Sequence, residues 1–131
     1  MNKVVARFAD GRIVKGETSD FSPAKEIFHV IGTTASGAKP TEIRTDELKA
    51  LFFVKDFAGD PQHAERNQFD DSRAVAGRRL RVTFKDGEVL VGATSVYQPG
   101  RPGFFMVPAD PGSNIERCYI VTAATRQVEL I

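Results

Sequence analysis

The chain carries two histidines, one cysteine and 17 acidic residues, and these are the groups that could do chemistry. A hydrolase needs a nucleophile with a base in reach, and a metal enzyme needs clustered ligands. His29 and His63 stand far apart and in different surroundings. Asp56, Asp60, Asp70 and Asp71 form an acidic stretch without the alternating D-x-D-x-D-G spacing of a calcium loop. Cys118 has no base near it in sequence to make a thiolate, and it reads as a small strand residue. Standing alone, it also excludes an internal disulfide framework and fits a reducing compartment. Asp86-Gly87 and Gly100-Arg101-Pro102-Gly103 are turn sequences, because a phosphate cradle pairs glycine with a helix N-terminus and no helix follows here. No enzymatic activity, no cofactor and no metal site is expected.

What remains is surface for binding. In Arg78-Arg79-Leu80-Arg81, the residues Leu80 and Val82 point inward and Arg79 and Arg81 form the solvent face of a strand. Guanidinium groups there suit carboxylate or phosphate. Phe21, Tyr97, Phe104 and Phe105, with Lys25 and Arg101, offer aromatic faces beside positive charge. The candidate partner-binding residues are therefore Phe21, Tyr97, Phe105, Arg79, Arg81 and Arg101. The formal net charge is only +1, which gives no general pull toward nucleic acid or an anionic membrane.

These residues are positioned by a chain that says nearly the same thing twice. Val4 to Ile31 aligns without a gap on Leu80 to Val107. Phe8 falls on Phe84, Asp10-Gly11 on Asp86-Gly87, Gly16 on Gly92, Thr18-Ser19 on Thr94-Ser95 and Phe28 on Phe104. After a one-residue slip, TEIRTDELKALFFV from Thr41 matches CYIVTAATRQVELI from Cys118. His29 takes the place that Phe105 fills, which suggests an aromatic packing site. The expected division is a first module over 1–57, a linker over 58–77 and a second module over 78–131. A lone module of about 50–55 residues is marginal as a core, so the two copies should complete each other.

Each module reads as strands. Lys3 to Phe8 alternates, with Val4, Ala6 and Phe8 on one face. Asp-Gly signals a hairpin. Gly16 and Gly92 sit inside the return strands, where glycine costs stability, so a bend or bulge is expected there. Ile27 to Ile31 and Phe104 to Val107 are third strands, Glu42 to Arg44 and Cys118 to Val121 fourth strands, and Ala50 to Val54 and Gln127 to Leu130 the closing ones. Thr45 should cap a single helical turn, and the 108–117 stretch reads as a loop. Phe52 and Phe53 are adjacent, as are Phe104 and Phe105, so one of each pair must leave its own module's interior. An apolar run of about 18 residues is missing, as is a signal-peptide h-region, and a cytoplasmic protein is expected.

The order of strand, Asp-Gly hairpin, glycine-bearing strand, aromatic strand, short strand, helical turn and last strand resembles the small β-barrels of the SH3-like and Sm-like class. Val4, Ala6, Phe8, Gly11, Gly16 and Asp20 are similar to the first Sm signature, and IVTAATRQVELI loosely to the second. The base-reading Asn and the Arg-Gly pair of that family are absent, and Val96 stands where the second copy would need the aspartate. The repeats also resemble a bacterial family of Asp-Gly hairpin domains to which no activity attaches. The resemblance implies an all-β protein of two tandem five-stranded barrels. Such barrels leave edges and clefts for an extended partner. A non-catalytic binding or scaffold module recognising a protein or peptide is therefore expected, with homo-oligomers through the remaining edges. An Sm-like nucleic-acid-binding protein is one alternative. Another is a nucleotide-sensing regulatory domain, since the arginine cluster resembles part of the PilZ motif, although the Asp-x-Ser-x-x-Gly partner motif is missing.

Overall fold

Asp-Gly turns set the frame in a computed structural model of the chain, which describes residues 2–32, 39–57, 77–95, 97–98, 100–110 and 112–131. The expectations for the linker, including His63, Asp60, Asp70 and Asp71, and for Val96, lie outside the described residues. The first turn joins β1 (Asn2–Phe8) to β2 (Ile13–Thr18), and the second joins β6 (Arg78–Phe84) to β7 (Val89–Thr94). Gly11 and Gly87 take φ values of 98° and 95°, which L side chains rarely adopt. The Asp10 carboxylate accepts the Arg12 N–H at 3.0 Å, and Asp86 accepts that of Glu88 at 2.9 Å. Both hairpins therefore close in the same way for the same reason.

The other strands are β3 (Ile27–Val30), β4 (Thr41–Arg44), β5 (Leu48–Val54), β8 (Gly103–Pro108), β9 (Ile115–Val121) and β10 (Thr125–Leu130). The protein is all-β, with an eight-stranded antiparallel sheet in the order β10-β6-β7-β8-β9-β5-β1-β2 and a two-stranded sheet, β3-β4. Glu17 and Ile31 bridge β2 to β3. Single 3₁₀ turns at Thr45–Glu47 and Thr122–Ala124 precede β5 and β10. Thr45 does not cap its turn: it is the turn's first residue, and its hydroxyl reaches back to the Lys25 carbonyl. The 108–117 stretch is not all loop either, because β9 begins at Ile115, where it pairs with Val54.

The glycines inside β2 and β7 answer to close approach, not to a bulge. Register runs unbroken through Val4↔Gly16 and Leu80↔Gly92. A Cβ on Gly16 would lie 2.3 Å from the Ile31 carbonyl oxygen, and one on Gly92 2.3 Å from that of Val107. The third strand of each half crosses that close, and any side chain would push it away.

The two hydrophobic clusters exchange residues. The cluster built on the first half takes in Tyr119 and Val121 from β9. The cluster built on the second half takes in Ala50, Phe52 and Val54 from β5. All of β5 is buried, Leu51 and Phe53 facing one cluster and Phe52 the other, which is why this strand is apolar on both faces. Phe104 and Phe105 divide in the same way.

Candidate functional site

The six candidate binding residues fall in separate places. Phe21 and Phe105 meet, with ring centroids 6.2 Å apart and edge to face. They do so inside a ring cluster with Phe28, Phe53 and Tyr119, capped by the Arg117 guanidinium 4.3 Å from Phe53 and 5.2 Å from Phe105. Their faces are thus largely occupied by one another. Burial in this cluster raises the Tyr119 phenol above its ordinary range. Tyr97 packs edge to face on Phe104 at 4.9 Å, the same pair that Phe21 makes with Phe28 at 5.0 Å. Arg79 and Arg81 lie on β6 beside fully buried Leu80, and Arg81 pairs with Glu129 of β10 at 3.1 Å. Arg101 is hydrogen-bonded to Gln98 at 2.8 Å in an exposed turn.

His29 is not a packing site. Its ring is close to half exposed, and its Nδ1 lies 2.7 Å from Asp20 Oδ2. Burial pushes Asp20 up, but the His29 backbone N–H, the ring and the Thr18 hydroxyl outweigh it and hold the carboxyl below its usual range. The counterpart, Phe105, is covered because β9 and β5 stand beside it, whereas β3 pairs with β4 and carries no such cover. Among the described residues no cluster of three metal-ligating side chains occurs, and no helix is long and apolar enough to cross a membrane.

The most built contact joins β5 to β9. Leu51 pairs with Tyr119 and Phe52 with Cys118, strand beside strand. At the start of β5 a bulge intervenes: Arg7 opposes Ala50 and Phe8 opposes Leu48, leaving Lys49 unpaired. Bulges re-aim side chains, and this one sends Lys49 across to the second Asp-Gly hairpin. Its Nζ donates to Asp86 at 2.7 Å and Glu88 at 3.1 Å and sits 4.7 Å from the Phe84 ring centre. The Lys49 ammonium and the Glu88 N–H together hold Asp86 below the ordinary carboxylate range. A cleft of about 210 Å³ opens beside it, lined by Ala9, Asp46, Lys49, Phe84 and Asp86. Farther along, Asn114 bonds the backbone of Asp56 through both ends of its amide.

β10 is the counterpart of β5, and its outer edge is open among the described residues. It pairs with β6 alone among the described strands. The same bulge recurs: Thr125 opposes Phe84 and Gln127 opposes Thr83, so Arg126 takes the position of Lys49. Arg126 is exposed. The Ile131 N–H donates to Arg79 of β6; by antiparallel alternation, the backbone groups of Leu130 and Val128 turn outward to the open edge. Leu130 is 64% exposed, whereas Phe53, its counterpart under β9, is 3% exposed. Sequence reading missed Lys49, Arg126 and Arg117. The alignment of TEIRTDELKALFFV on CYIVTAATRQVELI does set Lys49 against Arg126, but nothing in it marks a bulge.

No curated protein matches the chain, and no solved structure does. Residues 1–131 match throughout a family described as a family of unknown function, DUF6982, and the chain belongs to that family.

Proposed function

We propose that this protein is a non-catalytic binding module that recognises an extended protein segment by adding it as a strand along β10. In this reading the halves are two small SH3-like or Sm-like barrels fused through β5 and β9, and the second barrel keeps open the edge that the first has filled. One observation carries it: β10 repeats the bulge and strand of β5, yet its outward backbone groups pair with no described strand and Leu130 stands exposed. Unpaired N–H and C=O groups along an edge are a template for another chain, and strand addition draws affinity from those groups and specificity from alternate side chains. The near-zero net charge and the mutual packing of Phe21 and Phe105 favour a protein partner over nucleic acid.

The test is to pan a displayed library of random peptides on the full chain and to repeat the binding with Leu130→Pro. Proline removes the outward N–H but leaves the β6 pairing intact, since edge strands tolerate it on the solvent side. Selected peptides should lose about tenfold or more in affinity, with melting unchanged. Selection of no peptides, or peptides indifferent to Leu130→Pro, would end this reading.

A further inference from the structure

The internal junction also describes what the open edge is built to receive. On β5, the incoming strand supplies Tyr119 and Val121 to the neighbouring apolar cluster, and the hairpin that comes with it supplies Asp86 and Glu88 to Lys49. On β10 the corresponding features are Val128 and Leu130 on one face and the exposed cation Arg126 at the bulge. Resting on the strand-addition reading, we infer that the partner is an extended acidic segment. It carries an apolar side chain opposite Val128, as Tyr119 stands opposite Leu51, and one or two carboxylates at the end that reaches Arg126.

A second copy of this chain does not meet that description. Its free fourth strand is β4, where Glu42 and Arg44 stand in the places of Tyr119 and Val121. Its hairpin would present Arg12 where Glu88 stands, and Asp10, in the place of Asp86, already has its carboxylate bonded to Arg12 at 2.8 Å. Docking it in the register of β9 on β5 would set the Glu42 carboxylate on apolar Val128 and a guanidinium against Arg126. Like charges brought together at an interface oppose association. β4 is also short and preceded by Pro40, both common ways of blunting an edge.

The experiment uses the full chain and two synthetic peptides. Both carry the β9 sequence, residues 115–121, with serine in place of Cys118; one is extended at its C-terminal end by Asp-Glu, the other by Lys-Lys. Affinity is read by fluorescence anisotropy, and the site by amide hydrogen exchange at Val128 and Leu130. The acidic peptide should slow both amides and bind about tenfold or more tightly than the basic one. Arg126→Glu should reverse that order without lowering the melting temperature. Equal binding of the two peptides overturns the inference, as does loss of protection at Phe53, which would show the peptide displacing β9. Protection of Val128 and Leu130 by raised protein concentration alone would make a second copy the occupant and overturn it as well. If neither peptide binds while library peptides sensitive to Leu130→Pro exist, the acidic chemistry is wrong and strand addition stands; if no such library peptides exist, both readings fall.

Discussion

β5 and β10 occupy the same place in the two halves, and the difference between them shows what makes a strand internal. β5 carries Ala50, Phe52 and Val54 on the face turned to the other half; β10 carries Gln127, Glu129 and Ile131 there. The backbone and bulge are kept, while the second apolar face is replaced by polar side chains. The two strands hold matching places beside β1 and β6, and their side chains close one inside the protein and leave the other compatible with water.

The largest effect should come from putting an acidic side chain, of the kind β10 carries at Glu129, into the matching place in β5. Phe52→Asp buries a carboxylate among apolar side chains of the second cluster and should destabilise the protein by about 3–5 kcal/mol. Glu129→Ala, at the matching site, should move it by less than about 0.5 kcal/mol. Urea denaturation of both variants checks this, and equal effects would erase the distinction between the strands.

The close crossings offer a comparison in which the halves should agree. Gly16→Val and Gly92→Val should each cost about 1–3 kcal/mol, because each side chain meets a carbonyl oxygen of the third strand. A variant that melts with the wild type would show that its crossing can relax.

Lys49→Ala should cost about 1–2 kcal/mol, less than a fully buried pair would, because Asp86 and Glu88 are roughly half exposed. Arg126→Ala should change stability by under about 0.5 kcal/mol. A double-mutant cycle of Lys49→Ala with Asp86→Asn isolates the pair itself.

The smallest effect is the dependence on pH. Asp86 is lowered from 3.8 chiefly by the Lys49 side chain, and Asp10 from 3.8 chiefly by the Arg12 backbone N–H. A lowered carboxyl stabilises fully above its unfolded value and loses that contribution as pH falls through the folded one. The Asp86 contribution should therefore fade only below about pH 4. In Lys49→Met the Asp86 titration, followed by NMR, should move back up while that of Asp10 stays in place.

Much of this could be read from residue order. The Asp-Gly hairpins, the paired glycines, the 3₁₀ turns and the two-faced LFFV segment all lie where local chemistry and repetition put them. What escaped depends on which strand stands beside which. The turn-rich 108–117 stretch becomes strand at Ile115 because β5 is there to pair with it. His29 and Phe105 share a position but not a neighbour, so one is solvated and the other packed. Phe21 is aromatic and sits in a loop, which reads as a binding face, yet its ring is taken up by four others, two of them, Phe105 and Tyr119, from across the junction. A bulge is a property of register between strands, so the roles of Lys49 and Arg126 could not be seen from either strand alone.

The exchange of β5 and β9 residues between clusters also bears on how the chain is made. During synthesis the first half leaves the ribosome with Ala50, Phe52 and Val54 in a strand paired to β1 on one side, while β9, its partner on the other, has not yet been translated. Among the described strands β9 follows only after β6, β7 and β8, so its pairing with β5 is a contact of long sequence separation, the kind that slows folding. A nascent chain with these apolar side chains uncovered is a substrate for chaperones and a hazard when crowded against its siblings. Arrest at residue 100 should therefore yield chains that bind chaperone, and extension past β9 should free them.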